Sequence, residues 1–142
     1  YIQQGVDEGA TLVCGGNEVK DKGYFIEPTI FTDVKGDMSI AKEEIFGPVL
    51  CIEKFSNDTL EEIAKRANET TYGLSGSVWT SDITTGHRMA ALIDSGQVSI
   101  NCHAAVDSAI PFGGNKQSGW GREFGEEGLE PYLKTKATTV IF

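Results

Sequence analysis

Apolar and polar positions at the start of the 142-residue chain predict the end of a helix and then short strands. A first helix is expected to end at Gly9, and TLV at 11–13 predicts a short strand after it. A loop is predicted at 14–23. Apolar and polar residues then alternate through YFIEPTIF, residues 24–31, where Pro28 favours an edge or interrupted strand over a central one.

The middle of the chain repeats the order strand, helix, strand. Strands are predicted at VLCIEKF (49–55), LSGSVWT (74–80) and QVSIN (97–101). Helices are predicted between them, with these capping candidates: Ser56, Asn57 or Asp58 before TLEEIAKRAN, and Ser81 or Asp82 before ITTGHRMAALID. Because strands that alternate with helices imply crossover units, the predicted fold class is α/β, with a mainly parallel sheet flanked by helices.

A long glycine-rich segment, residues 102–128, follows the third strand. Loops of this length in compact domains are usually functional. Gly119, Gly121 and Gly125 give G-x-G-x-x-x-G, one residue longer than the dinucleotide fingerprint, so a tight multi-turn loop is favoured over a phosphate-binding loop. LEPYLKTKATTVIF, residues 129–142, then predicts a short helical piece and an alternating strand that pairs with another segment or subunit.

Charge, apolar-run length and cysteine content indicate which ligands and partners the chain is expected to lack. The formal net charge of −9 disfavours nucleic-acid binding, and the apolar runs are shorter than the roughly 20 residues of a membrane span. Three widely spaced cysteines and two histidines predict reduced thiols and no structural metal site. A cytoplasmic protein with no membrane partner is therefore expected. The chain begins with Tyr1 inside a helical pattern, which suggests a piece of a longer polypeptide.

Two adjacent carboxylates, Glu43 and Glu44, lie just before a turn in KEEIFGPVL, residues 42–50. Pro48 fixes its own φ and restricts the residue before it, so the side chains preceding the turn should be held in place. A fixed carboxylate near the ring of Phe46 could bind a polar ring ligand, such as a ribose with its base. The alternative is a solvated pair of charges.

A cysteine beside a histidine, at Cys102 and His103, raises the alternative of a cysteine hydrolase. Neighbouring residues at a strand end point to opposite faces, which makes proton transfer between them difficult. A small buried cysteine at the end of the third strand is therefore favoured.

Several motifs in a fixed order resemble the C-terminal part of the NAD(P)-dependent aldehyde dehydrogenase family. They are GYFIEPTIF, KEEIFGPV, ANETTYGLSGSVWT, and INC followed by PFGGNKQSGWGREFG. The resemblance covers essentially the whole chain, and the glycine-rich loop is most similar to that of phenylacetaldehyde and broad-range members. It implies residues 1–135 as the C-terminal part of a catalytic domain and 136–142 as an oligomerisation strand, in a homodimer or homotetramer.

The resemblance also implies roles for individual residues. Glu44 would hold the hydroxyls of the nicotinamide ribose of NAD or NADP, Phe46 would border the nicotinamide ring, and Leu74 would line its pocket. The aldehyde tunnel would be lined by Ala104, Val106 and Phe112. Val106 stands where several relatives have an aromatic residue, so a roomier tunnel is expected.

The family oxidises an aldehyde to a carboxylic acid through a cysteine thiohemiacetal and thioester, with a glutamate base. The resemblance places that nucleophilic cysteine, the base and the cofactor-binding domain N-terminal to the matched region. No catalytic residue is therefore expected in these 142 residues, and alone they are expected to be inactive. The alternative function is a standalone interaction or assembly module derived from the family.

Overall fold

The computed structural model describes residues 1–20, 22–103 and 105–142, in two compact units, Tyr1–Thr70 and Thr71–Phe142. The first unit contains α1 (Ile2–Asp7), β1 (Thr11–Cys14), β2 (Glu18–Val19), β3 (Phe25–Ile26), β4 (Thr29–Thr32), α2 (Ser39–Lys42), β5 (Val49–Cys51) and α3 (Leu60–Ala67). The second contains β6 (Tyr72–Gly73), β7 (Ser75–Val78), α4 (Ile83–Leu92), β8 (Gln97–Ile100), β9 (Asn115–Lys116) and a 3₁₀ helix (Glu127–Tyr132).

The core of the first unit is built around Phe31, which is fully buried on β4. Its buried neighbours in the cluster are Ala10, Val34, Met38 and Ile40. β4 is the central strand of the order β1-β4-β5, so the prediction of an edge strand there is wrong, whereas the predicted interruption is confirmed. Pro28 lies between β3 and β4, and its missing N–H therefore removes no bond from the central ladder.

The predicted loop at 14–23 contains a strand in part. β2 pairs with β3 as a short antiparallel ladder, Glu18 opposite Ile26 and Val19 opposite Phe25. All four side chains are exposed. Two residues are too few to show an alternating pattern, which explains why periodicity missed this strand.

The α/β class is confirmed, but the strand pairings are mixed. β4–β5 and β7–β8 are parallel, whereas β1–β4, β2–β3 and β6–β9 are antiparallel. The prediction of a mainly parallel sheet is therefore wrong in detail. The predicted parallel pairing is correct for β7 and β8, which are connected by the helix α4 as a crossover unit. The antiparallel pairs join short strands in turn-rich regions. Such strands are too short to show a clear alternation of apolar and polar residues.

The helix starts differ in how well the sequence identified them. Asp82 caps α4 as expected, because its carboxylate accepts bonds from the N–H groups of Thr84 and Thr85. α3 is capped instead by Thr59, whose hydroxyl accepts from the N–H of Glu62 while the Glu62 carboxylate accepts from the N–H of Thr59. The carboxylate of Glu62 accepts from the backbone N–H and also from the hydroxyl of Thr59, and these two bonds lower the pKa of the Glu62 carboxyl. The three predicted candidates, Ser56, Asn57 and Asp58, lie one to three residues before this cap.

The end of the chain forms no strand among the described residues. The 3₁₀ helix confirms the predicted helical piece, and residues 136–142 after it are exposed and outside any ladder. Their role as an oligomerisation strand stays a prediction. No helix in the described ranges is both long enough and apolar enough to cross a membrane.

Thr59→Ala should destabilise the first unit, because it removes the reciprocal cap of α3. The expected loss is about 1 kcal/mol of unfolding free energy, measured by urea denaturation at pH 7. Ser56→Ala is the matched control, since Ser56 contributes only its backbone N–H to the bond with Asp58. Equal stability losses in the two variants would contradict the assignment of Thr59 as the cap.

Candidate functional site

The turn after α2 presents Phe46 to solvent in an unusual backbone conformation. Its φ of 53° lies in the left-handed region, and its side chain is 89% exposed. The carbonyl of Gly47 accepts from the N–H of Val49, and the carbonyl of Pro48 accepts from the N–H of Thr29, both at 2.8 Å. These bonds anchor the turn to the start of the central strand. A bulky residue at positive φ is rare and marks sites where the surrounding structure fixes a strained conformation.

The two adjacent carboxylates have different environments. Glu43 accepts a hydrogen bond of 2.6 Å from the hydroxyl of Tyr1, which gives it a structural partner that the sequence did not reveal. Glu44 is exposed and makes no hydrogen bond or ion pair with any residue in the described ranges. Of the pair, only Glu44 has both carboxylate oxygens without a partner among the described residues, so both can accept from hydroxyl groups of a ligand.

In the second unit, a cleft of about 700 Å³ brings Leu74 together with Phe112. Its walls also include Trp120, Arg122, Phe124 and Tyr132. Leu74, between β6 and β7, was expected to line the nicotinamide pocket, and Phe112 the aldehyde tunnel. Their sharing of one largely apolar cleft fits a ring-shaped or hydrophobic ligand better than a phosphate.

Of the other two tunnel candidates, only Val106 is among the described residues. Val106 is 53% exposed and is not among the residues that line this cleft. Ala104 lies outside the described residues. Phe112 is held by two backbone bonds with Glu123, of 2.7 and 2.8 Å, and its ring centre is 6.5 Å from that of Phe124. Of the two described tunnel candidates, Phe112 is therefore the one that lines the cleft, and its backbone is fixed by hydrogen bonds.

The glycine-rich segment is a multi-turn loop, as predicted. Gly119, Gly121 and Gly125 have φ values of 137°, 78° and 59°, which side chains rarely adopt. A Cβ on Gly96 would stand 1.7 Å from the carbonyl oxygen of Gly113, so these two backbones pack in direct contact. The glycines serve turns and close packing, which accounts for their number without a phosphate.

Asn101 is a positioning residue that sequence reasoning missed. Its side-chain amide accepts from the N–H of Thr80 and donates to the Thr80 carbonyl, each at 2.9 Å, with φ at 56°. It thereby ties the end of β8 to the end of β7. Asparagine tolerates the left-handed region and can bond as a backbone does, so Asn directly after a strand was the available signal.

The cysteine hydrolase alternative gains no support from the geometry. His103 Nδ1 lies 2.8 Å from the hydroxyl oxygen of Ser77, so that nitrogen is engaged by a serine rather than by Cys102. Cys102 is exposed, so the prediction of a buried cysteine at the end of the third strand is wrong: residue 102 lies beyond β8, in the glycine-rich segment. Cys14 is also exposed, whereas Cys51 is half-buried and burial raises the pKa of its thiol. Among the described residues, no group of three or more His, Cys, Asp or Glu side chains is placed to hold a metal ion.

Comparison with known proteins identifies the context of these features. The model of the family described as "Aldehyde dehydrogenase family" matches residues 1–138. The cytosolic 10-formyltetrahydrofolate dehydrogenase of Xenopus tropicalis is 51% identical over 142 residues, covering 100% of this chain and 16% of that protein. The mitochondrial aldehyde dehydrogenase family 2 member B4 of Arabidopsis thaliana is 52% identical over 137 residues, 96% of this chain and 25% of that protein.

Solved structures agree with these sequence matches. An indole-3-acetaldehyde dehydrogenase in complex with NAD+ superposes with a TM-score of 0.90 at 43% identity, covering 97% of this chain and 28% of that one. The NAD+ complex of an aldehyde dehydrogenase from Bacillus cereus gives 0.85 at 50% identity, over 94% and 27%. This chain therefore spans less than a third of each of these four relatives.

Alkylation with iodoacetamide at pH 7 should label Cys102 and Cys14 at similar, slow rates, because both are exposed and neither has a base positioned as a proton acceptor. Cys51 should react more slowly still, since the raised pKa of its thiol lowers the thiolate fraction. Peptide mass spectrometry measures the three rates in one sample. Labelling of Cys102 far faster than Cys14 would revive the hydrolase alternative.

Proposed function

This chain belongs to the aldehyde dehydrogenase family, and we propose that it is the C-terminal segment of an enzyme that oxidises an aldehyde to a carboxylic acid with NAD or NADP. The single observation that carries the cofactor role is the turn at 44–48. It holds an exposed carboxylate and an exposed aromatic ring on a backbone anchored to the central strand.

The residues of this turn fit the nicotinamide half of the cofactor. The Glu44 carboxylate has acceptor oxygens only, as a ribose diol requires, and no described residue competes for them. The Phe46 ring offers a flat apolar face of the kind on which a second ring packs. NAD(P), when bound, accepts the hydride that the aldehyde loses. That two similar solved structures are NAD+ complexes supports NAD as the cofactor.

Leu74 and Phe112 are proposed to line the pockets for nicotinamide and aldehyde. Their cleft supplies apolar surface against which a nicotinamide ring or the carbon chain of an aldehyde would pack. Val106, with its smaller side chain, is proposed to leave room in the aldehyde tunnel, together with Ala104. The nucleophilic cysteine and the base are proposed to come from a preceding segment of the same polypeptide.

The proposal also covers the oligomeric state and the cellular location of the enzyme. Val140, Ile141 and Phe142 are exposed at the end of the second unit and lie outside any ladder, and an apolar segment of this kind favours strand pairing with another chain. A homodimer or homotetramer joined through residues 136–142 is proposed. A cytoplasmic location is also proposed, and the similar proteins include cytosolic and mitochondrial enzymes.

Glu44→Gln in the full-length enzyme should impair use of the cofactor, because the amide replaces a charged acceptor of ribose hydroxyl bonds. We expect kcat/KM for NAD to fall about tenfold or more, the size typical of one lost charged hydrogen bond. Steady-state kinetics with NAD varied at saturating aldehyde measures it. The matched control is Glu43→Gln, whose carboxylate bonds Tyr1 instead. Unchanged kinetics in Glu44→Gln, or equal losses in both variants, would contradict the assignment.

The purified 142-residue chain alone should show no NAD-dependent oxidation of aldehydes. The physical reason is that the proposed reaction needs a nucleophilic thiolate opposite the nicotinamide, and none of the three cysteines here lies at the turn that carries Glu44. Absorbance at 340 nm records NADH formation, with circular dichroism as the control for folding. Turnover by the folded chain would overturn the proposal that catalysis needs a preceding segment.

A further inference from the structure

Arg122 makes a set of contacts that neither the family resemblance nor the proposed cofactor role explains. Its Nη1 donates to the carbonyl oxygens of Gly114 at 3.0 Å and Gly121 at 2.7 Å, and its Nη2 donates to Oδ1 of Asn115 at 2.8 Å. The guanidinium thus joins both ends of the multi-turn segment 113–122. A guanidinium carries five N–H donors in one plane and can therefore bond several acceptors at fixed angles. The ammonium group of a lysine lacks this planar arrangement.

The neighbouring glycines give this side chain the room it occupies. A Cβ on Gly113 would stand 2.9 Å from Cδ and 3.2 Å from Nη1 of Arg122, and 2.6 Å from the carbonyl oxygen of Gly121. Only a residue without a side chain lets the guanidinium lie this close to the backbone. Gly113 and Arg122 therefore form one packed unit, and the sequence pattern G-G-N with a later R encodes it.

The contacts continue from the guanidinium towards the start of β8. Asn115, which accepts from Arg122, donates through Nδ2 to Oδ1 of Asp94 at 3.1 Å. The other carboxylate oxygen of Asp94 pairs with Nζ of Lys116 at 3.5 Å. Arg122 is thus connected through one amide to the turn between α4 and β8, outside the loop that it closes.

The loop that Arg122 holds together positions Phe112. Glu123, the next residue, exchanges two backbone hydrogen bonds with Phe112, and both Arg122 and Phe112 line the same cleft. We propose that Arg122 is a positioning residue for the aldehyde site, which sets the place of the Phe112 ring through the loop backbone and so tunes aldehyde specificity. This inference rests on the proposed function.

The first arm of the test examines the loop itself, in the 142-residue chain. Arg122→Lys keeps the positive charge but removes the planar set of donors that bonds Gly114, Gly121 and Asn115. Because the loop is then held less firmly, hydrogen exchange should become about tenfold faster or more at the amides of Phe112 and Glu123. Amides of β7 and β8 should be unchanged. Arg66→Lys is the matched control, since Arg66 pairs with Asp58 and Glu53 in the first unit. Unchanged exchange at Phe112 in Arg122→Lys would overturn the inference.

The second arm measures specificity in the full-length enzyme. Arg122→Lys should raise KM for an aromatic aldehyde about tenfold while KM for NAD stays within about twofold, a split that general destabilisation would not produce. Gly113→Ala retains Arg122 but displaces its guanidinium, and it should likewise raise KM for the aldehyde while leaving KM for NAD nearly unchanged. Equal changes in both KM values, or none in active variants, would overturn the inference. Absence of aldehyde oxidation in the unmodified enzyme would instead overturn the proposed function.

Discussion

The second unit depends on a direct contact between two stretches of backbone, at Gly96 and Gly113. A Cβ on Gly96 would stand 1.7 Å from the carbonyl oxygen of Gly113, so any other residue there would push the glycine-rich segment away from the start of β8. Two further bonds anchor the same segment to β6 and its flank: Gly73 N–H to the Ser118 hydroxyl, and Gln117 N–H to the Thr71 carbonyl. Because the segment is fixed at these points, the cleft beside it has a defined wall.

In the first unit, position is likewise set by backbone anchoring outside regular elements. The turn at 46–48 is tied to β4, and β4 contains Phe31, the most deeply buried large side chain among the described residues. Phe46 therefore projects from a turn that is bonded directly to the strand at the centre of the core. Sites placed in this way keep their geometry without help from the ligand, which lowers the entropy cost of binding.

The sequence predicted the elements whose period is long enough to be visible, and it failed where partners are distant. β7, α4 and β8 follow from alternation, spacing and the Asp82 cap, whereas the two-residue strands β2 and β9 have no period to detect. The resemblance supplied Glu44 and Phe46 as candidates, but the bond between Tyr1 and Glu43 spans 42 positions and leaves no local signal. The bridge from Asn101 to Thr80 is hidden in the same way, since pairing of parallel strands brings those residues together.

The exposure of Phe46 argues that its conformation serves something outside the first unit. A left-handed backbone at a bulky residue costs about 1–3 kcal/mol. Burying a phenylalanine ring would return about 1.5–3 kcal/mol, yet this ring is 89% exposed. Within the described residues nothing offsets that strain through the side chain. The nicotinamide contact proposed for Phe46 would supply the missing stabilisation, because a ring packed there would remove apolar surface from water on both partners. A glycine at position 46 would adopt the same φ without strain, so the fold of the unit alone does not require phenylalanine there. On the proposed function, the bonds at Gly47 and Pro48 hold the turn in its binding geometry before the ligand arrives.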